Sequence, residues 1–207
     1  MNIAVIAASG RSGKVFVEQA LAAGHSVRAG VYSDNNLNPH PKLSVVKCDA
    51  TKVDDLLNLI DGQAVAVSFI GHIKGSPAHV QTDAMRALST AMQTKNITRL
   101  VSLTGTGVRF PGDKISLVDR VLNMSIRLID PARIQDGKDH VALLQQSNLD
   151  WTVIRVLKLQ NIQPMPFSLK PNGPTKWVVG REEVARAVLE VIENNSFVQQ
   201  APIISKV

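Results

Sequence analysis

What this chain can fold into is narrowed first by Asn2-Ile3-Ala4-Val5-Ile6-Ala7-Ala8-Ser9-Gly10-Arg11-Ser12-Gly13-Lys14-Val15. Asn2 to Ile6 is a short apolar run, the pattern of a buried strand in a parallel sheet. Ala7 to Gly13 is a tight turn of small residues. From Lys14 onward Val17, Ala20, Leu21 and Ala23 repeat with a helical period. A glycine turn between a strand and a helix is the setting in which glycines become a phosphate-binding signal. The start of the helix offers free backbone N–H groups and the positive end of a dipole. Gly10 and Gly13 occupy the last two glycine places of such a loop, and Ala8 or Ala7 stands at the first. Alanine suits a turn where φ stays negative, so the loop is expected to keep a negative φ there. The plain alternative is a strand–turn–helix joint that holds no ligand.

Composition narrows the classes. A chain of 207 residues with 44% hydrophobic and 19% charged residues suits one globular domain of enzyme size. No apolar run reaches the ~18 residues of a membrane span, and the first strand starts at once, which leaves no room for a signal peptide. A lone cysteine, Cys48, excludes an internal disulfide and suggests a cytoplasmic home. Cys48 lies in an apolar strand and reads as a core thiol. The net charge of +6 is spread along the chain, and aromatics are only 4%. A dispersed basic surface with few stacking platforms favours small anionic ligands and argues against nucleic acid as partner. Five histidines without ligand spacing predict no metal site.

Along the chain, strands are predicted at Ser26 to Tyr32, Leu43 to Cys48, Gln63 to Ile70, Leu100 to Leu103 and Trp151 to Val156. Helices are predicted at Thr51 to Ile60, Pro77 to Thr94, Ile115 to Ile129, Arg133 to Gln146 and Arg181 to Glu193. Short strands are expected at Trp177 to Val179 and Pro202 to Ser205. Residues 157–176 contain Pro164, Pro166, Pro171 and Pro174 and read as irregular. Strands alternate with helices almost throughout, which predicts an α/β protein with a doubly wound, mostly parallel sheet. A single domain over residues 1–207 is expected, with residues 157–180 as a small irregular C-terminal lobe on the substrate side.

The loop Ala7-Ala8-Ser9-Gly10-Arg11-Ser12-Gly13 resembles the Gly-x-Thr/Ser-Gly-x-Thr/Ser-Gly loop of atypical short-chain dehydrogenase/reductases. Val45-Val46-Lys47-Cys48-Asp49, Arg99-Leu100-Val101-Ser102 and Asn148-Leu149-Asp150-Trp151-Thr152-Val153-Ile154-Arg155 extend the likeness. It spans residues 1 to roughly 195 as a pattern of elements. The chain is similar to the NAD(P)-binding, Rossmann-like proteins grouped with biliverdin reductase B/flavin reductase and with NmrA-like proteins.

That resemblance implies a dinucleotide site made of Ala7, Ser9, Gly10, Arg11, Ser12 and Gly13, with Tyr32 and Ser33 after the second strand, Asp49 and Ala50 after the third, Gly71 after the fourth and Thr104 after the fifth. The place where NAD enzymes put a ribose-binding carboxylate is Val31, and the acid nearby is Asp34. Tyr32 stands where NADP-binding relatives place an arginine. Arg11 offers a guanidinium for a 2′-phosphate, so NADP is favoured over NAD. Asp49 would accept from the adenine amino group, or cap the following helix. His72 and Lys74, after Gly71, are near phosphate or solvated.

The catalytic candidates are Thr104 and His140. Thr104 and Thr106 occupy the place of the superfamily's active-site Ser/Thr, and their hydroxyls can bond a carbonyl; the alternative is a turn built from Thr-Gly-Thr-Gly. In Asp136-Gly137-Lys138-Asp139-His140, either Lys138 or His140 is expected to face the nicotinamide, and His140 is the better titrating group near neutral pH. The alternative is a surface helix start with Asp136 as cap. The Tyr-x-x-x-Lys pair is absent, because Tyr32 is the one tyrosine.

These features predict an NAD(P)H-dependent reductase of a flat or carbonyl-bearing small-molecule acceptor, such as a flavin, quinone or tetrapyrrole. A non-catalytic NAD(P) sensor that binds a protein partner is the alternative. An epimerase or dehydratase of nucleotide sugars fits less well. A monomer or homodimer, away from membranes, is expected. The apolar residues of 157–167 are expected to wall a pocket over the nicotinamide, floored near Thr104.

Overall fold

The structure, a computed structural model, describes residues 1–73 and 75–207. Its first half is built of β1 (Asn2–Ile6), α1 (Arg11–Ala22), β2 (Ser26–Val31), β3 (Leu43–Lys47), α2 (Val53–Ile60), β4 (Val65–Ser68) and α3 (Val80–Lys95). The second half contributes β5 (Arg99–Gly105), α4 (Leu117–Ile129), α5 (Pro131–Gln145), β6 (Asp150–Val156), β7 (Leu159–Gln160), β8 (Ser168–Lys170), β9 (Val179–Gly180), α6 (Arg181–Glu193) and β10 (Ile203–Ser205). Lys74, named above as a phosphate candidate, lies outside the described residues.

The main sheet runs β3-β2-β1-β4-β5-β6-β10-β8. Its first six strands have the order of a doubly wound dinucleotide-binding sheet, which reverses direction beside β1. Every pairing is parallel except β8 with β10, which is antiparallel. Both faces of the central strands are covered, so Ile3 to Ile6 and all of β4 are buried. Helices α1 and α6 lie together on one face, over a core that includes Val5, Phe16, Val27, Val101 and Val188. Helices α2, α3 and α5 cover the other, over Ile6, Leu59, Leu88, Leu100 and Leu144.

Residues 157–180 are more ordered than the prolines suggest. β8 adds an edge strand to the main sheet, and β7 pairs with β9. Buried Arg155 fastens this region. Its guanidinium forks onto Asp113 (2.6 and 2.9 Å) and donates to Ala201 O and Pro171 O. A second tie joins the region to α6, where Lys176 Nζ and the Met165 backbone N donate to the Glu183 carboxylate at 2.6 and 3.0 Å.

One expectation about the helices is corrected. The helix placed at Arg133 begins at Pro131, with Asp130 as its cap accepting from Arg133 N. Asp136 is therefore not a cap of its own helix. Helix α4 lies within the predicted Ile115 to Ile129 and faces largely outward: Leu117 and Leu128 are 78% and 80% exposed, and its one fully buried residue is Asp119. Cys48 is a buried structural thiol, its pKa pushed up to about 12 by burial and then by Asp55 and Asp49.

Candidate functional site

The strands deliver their C-terminal ends to one edge of the sheet, where ligands of open α/β sheets bind. The glycine loop emerges there between β1 and α1. Ala8 N donates to Gly30 O at 3.1 Å, and Gly10 N returns to Ala7 O at 3.0 Å, closing the turn. Gly10 caps α1 in extended conformation, with no side chain bonded to the first helical N–H groups and no acid in the first turn. Those donors and the positive end of the helix are left for an anion. A Cβ at Gly13 would stand 2.3 Å from Ala7 O and 2.9 Å from Ala8 Cα, so only glycine lets α1 close on the loop. This is the close helix–strand packing that a dinucleotide loop requires.

The first glycine place departs from expectation. Ala7 adopts φ +58°, in the left-handed region, where a negative φ was expected. The chain keeps the turn a glycine would make and accepts a cost of ~1–2 kcal/mol for it.

The β2–β3 loop is strapped onto this turn. Asn36 Nδ2 donates to Ser9 O at 3.2 Å, and Lys14 Nζ donates to Asn36 O at 3.0 Å. Val31 is buried, while Tyr32, Ser33 and Asp34 are exposed beyond it. The cation the structure brings to this loop is Lys14, which the sequence reading did not single out; its place in the first turn of a phosphate-loop helix was the available cue. Arg11 is exposed at the start of α1, and Arg181 opens α6, the helix packed beside α1.

Asp49 follows β3. Its Oδ1 accepts from Thr51 N and Thr51 Oγ1 at 3.0 and 2.7 Å, and the Thr51 hydroxyl leads the causes that hold its pKa below the usual value. It shapes the turn into α2, whose own N-cap is Lys52. Ala50 is buried beside it. At Gly71 a Cβ would meet open space, so the backbone is accessible there.

The catalytic candidates are placed differently from expectation. Thr104 lies within β5, only 5% exposed, and its Oγ1 is 2.7 Å from where a Cβ on Gly137 would stand. The hydroxyl is thus turned into the packing between β5 and α5. Thr106 is fully buried, and its Oγ1 accepts from Asn123 Nδ2.

His140 is a correction. It does not present a titrating edge at neutral pH: it is 1% exposed, its Nε2 is 3.0 Å from Ser102 Oγ, and burial lowers its pKa from 6.5 to about 4 against the nearby charge of Asp136. The unfolded chain takes up this proton at higher pH than the folded chain. Stability should therefore fall by on the order of 3 kcal/mol of His140's own contribution as pH drops through that window. Urea unfolding across pH should show a flatter dependence in His140→Gln; equal slopes in the two proteins would refute the assignment.

Asp136 and His72 have a role that sequence reasoning missed. Asp136 is fully buried in α5, yet it caps α3: Oδ2 accepts from Gln81 N and Oδ1 from Thr82 N, at 2.8 and 2.9 Å. Thr82 Oγ1 and His72 Nε2 complete the set at 2.6 and 2.8 Å. Burial alone would raise the Asp136 pKa, but these donors outweigh it and hold the carboxyl below its ordinary value. Arg133 Nη2 also donates to His72 O at 2.7 Å. The loop after β4, which carries Gly71, is thereby pinned to α5 at the edge of the site.

Fold and loop together define a dinucleotide-binding protein with a Rossmann-like sheet. The chain belongs to the NAD(P)H-binding family, whose model matches residues 7–195. Among solved structures it is similar to a short-chain dehydrogenase/reductase of Veillonella parvula in complex with NADP (TM-score 0.83, 18% identity, 99% of this chain and 94% of that one). It is also similar to a candidate NADH-flavin reductase of Streptococcus pneumoniae (TM-score 0.79, 21% identity, 99% and 98% covered). A candidate NAD-dependent epimerase/dehydratase of Bacillus halodurans matches as well (TM-score 0.80, 15% identity, 100% and 94% covered). At these identities the likenesses carry the fold alone. Among the described residues no helix is long and apolar enough to cross a membrane.

Proposed function

We propose that this chain is an NAD(P)H-dependent reductase of a flat or carbonyl-bearing small-molecule acceptor, such as a flavin, quinone or tetrapyrrole. The observation that carries the dinucleotide half is Gly13, whose missing side chain lets α1 meet the loop backbone with its first N–H groups uncapped. When bound, the nicotinamide supplies the hydride. Gly10 to Gly13 would hold the pyrophosphate, and Asp49 and Ala50 would border the adenine. NADP is favoured over NAD because Val31 supplies no carboxylate for a ribose 2′-OH, whereas Lys14 and Arg11 bring positive charge to the loop.

The acceptor half is supported by what the site offers for proton transfer. Neither Thr104 nor His140 presents an acid, and Tyr32 is 68% exposed on the β2 side. An acceptor that takes its proton from water needs none, which suits a flavin or quinone and accords with the candidate NADH-flavin reductase among the structural neighbours. The same lack of an acid favours a second reading, a dinucleotide sensor without turnover. A cytoplasmic setting goes with the single buried thiol.

Following NADPH absorbance with FMN, riboflavin and a short-chain quinone separates the two readings. Acceptor-dependent NADPH oxidation, faster than with NADH, is expected. NADPH binding without oxidation by any acceptor would leave the sensor.

A further inference from the structure

Arg181, the first residue of α6, is a buried cation with no part in the site described above. It is 8% exposed, its Nη1 donates to the neutral Asn161 Oδ1 at 2.6 Å, and its Nε has no hydrogen-bond partner among the described residues. The buried acid of the same helical turn, Glu183, is already engaged by Lys176 and the Met165 backbone. Burying a guanidinium without an opposite charge is costly.

Its surroundings deepen the imbalance. Helix α6 starts against α1, where Gln19 Nε2 donates to Glu182 O at 3.4 Å. Helical side chains lean toward the N-terminus, and for α6 that direction is the sheet edge bearing the glycine loop. Burial, followed by the like charge of Arg11, lowers the Arg181 pKa from its ordinary value. Each arginine opens its helix behind a glycine cap that has no side-chain bond, Gly10 for α1 and Gly180 for α6. Helices α1 and α6 pack side by side and both start at the sheet edge that carries the glycine loop, so the two arginines and the two glycine-capped helix starts share that edge, with Glu182 and Glu183 in the first turn of α6.

We propose that Arg11 and Arg181 jointly bind an oxyanion, a phosphate or carboxylate, with Asn161 as the residue that positions Arg181. The inference rests on the dinucleotide reading above. Two sources share this chemistry: the dinucleotide's own pyrophosphate, and an acidic group on the acceptor, which would make acidic acceptors the preferred class. A planar guanidinium matches either by a forked, charge-assisted pair.

The test compares the full chain with Arg181→Gln and Arg181→Lys. If the anion belongs to the dinucleotide, Arg181→Gln weakens NADPH about tenfold or more. If it belongs to the acceptor, NADPH affinity holds, and KM rises for FMN but not for riboflavin, which lacks the phosphate. Arg181→Lys keeps the charge and should retain part of the affinity; should the glutamine variant not fold, the loss in the lysine variant decides. Unchanged NADPH affinity together with an unchanged FMN-to-riboflavin ratio, in folded variants, overturns the proposal. Should the wild type bind no dinucleotide, titration with inorganic pyrophosphate still decides. Binding that Arg181→Gln abolishes upholds the oxyanion site while the dinucleotide reading fails; no binding sinks both.

Discussion

Gly13→Ala should weaken NADPH binding by roughly ten- to a hundredfold, the effect of ~1–3 kcal/mol of overpacking. The reason is geometric. The added methyl would lie 2.3 Å from Ala7 O and within 3.0 Å of two atoms of Ala8, all of them backbone. No flexible side chain can yield, so either α1 retreats from β1 or the loop shifts. Both movements displace the N–H groups that would receive the pyrophosphate. Gly13→Val, with a branched side chain at the same point, should abolish binding. Circular dichroism would show that the sheet persists, since the disturbance is confined to one joint. Wild-type affinity in Gly13→Ala would mean that the loop does not bind the dinucleotide.

Asp136→Ala should be strongly destabilising. The carboxylate is fully buried and accepts from two backbone N–H groups at the start of α3, the Thr82 hydroxyl and His72. Removing it strands these donors, at a cost of ~3–5 kcal/mol. For a chain of this size that is a fall in Tm of roughly 8–15 °C. An amide in place of the carboxylate would keep one accepting oxygen but turn its NH₂ toward a donor, so Asp136→Asn should recover only part. Because the folded carboxyl titrates below 3.8, its stabilisation is complete above that pH and lost as pH falls below it. Thermal melts of the two variants check this, and a change in Tm of only a degree or two in Asp136→Ala would refute the role.

The local grammar of the chain was legible. An apolar run, a glycine turn and a helical period placed β1, the loop and α1, and strand–helix alternation pointed to the doubly wound sheet. These depend on neighbours in sequence. What escaped depends on residues far apart. Asp136 reads as a helix cap because it is polar and near a proline, yet the residues it caps lie 54 and 55 positions away. Asp130-Pro131 carried the true start of α5, a cap followed by proline at the first helical position. His140 lies inside that helix, on its buried face with Asp136 and Leu144. The antiparallel β8 was hidden because three partly buried residues among prolines show no clear alternation. Ala7 was read from its intrinsic preference, which the closure of Gly10 N on Ala7 O overrides. Arg181 gave no signal beyond its place at a helix start; only the fold shows that it is buried without a counter-ion among the described residues.

Whether this chain holds a dinucleotide is decided by calorimetric titration of the wild type with NADPH and then NADH. Saturable one-to-one binding of both, tighter for NADPH, is the predicted result. The absence of saturable binding for either dinucleotide would contradict it.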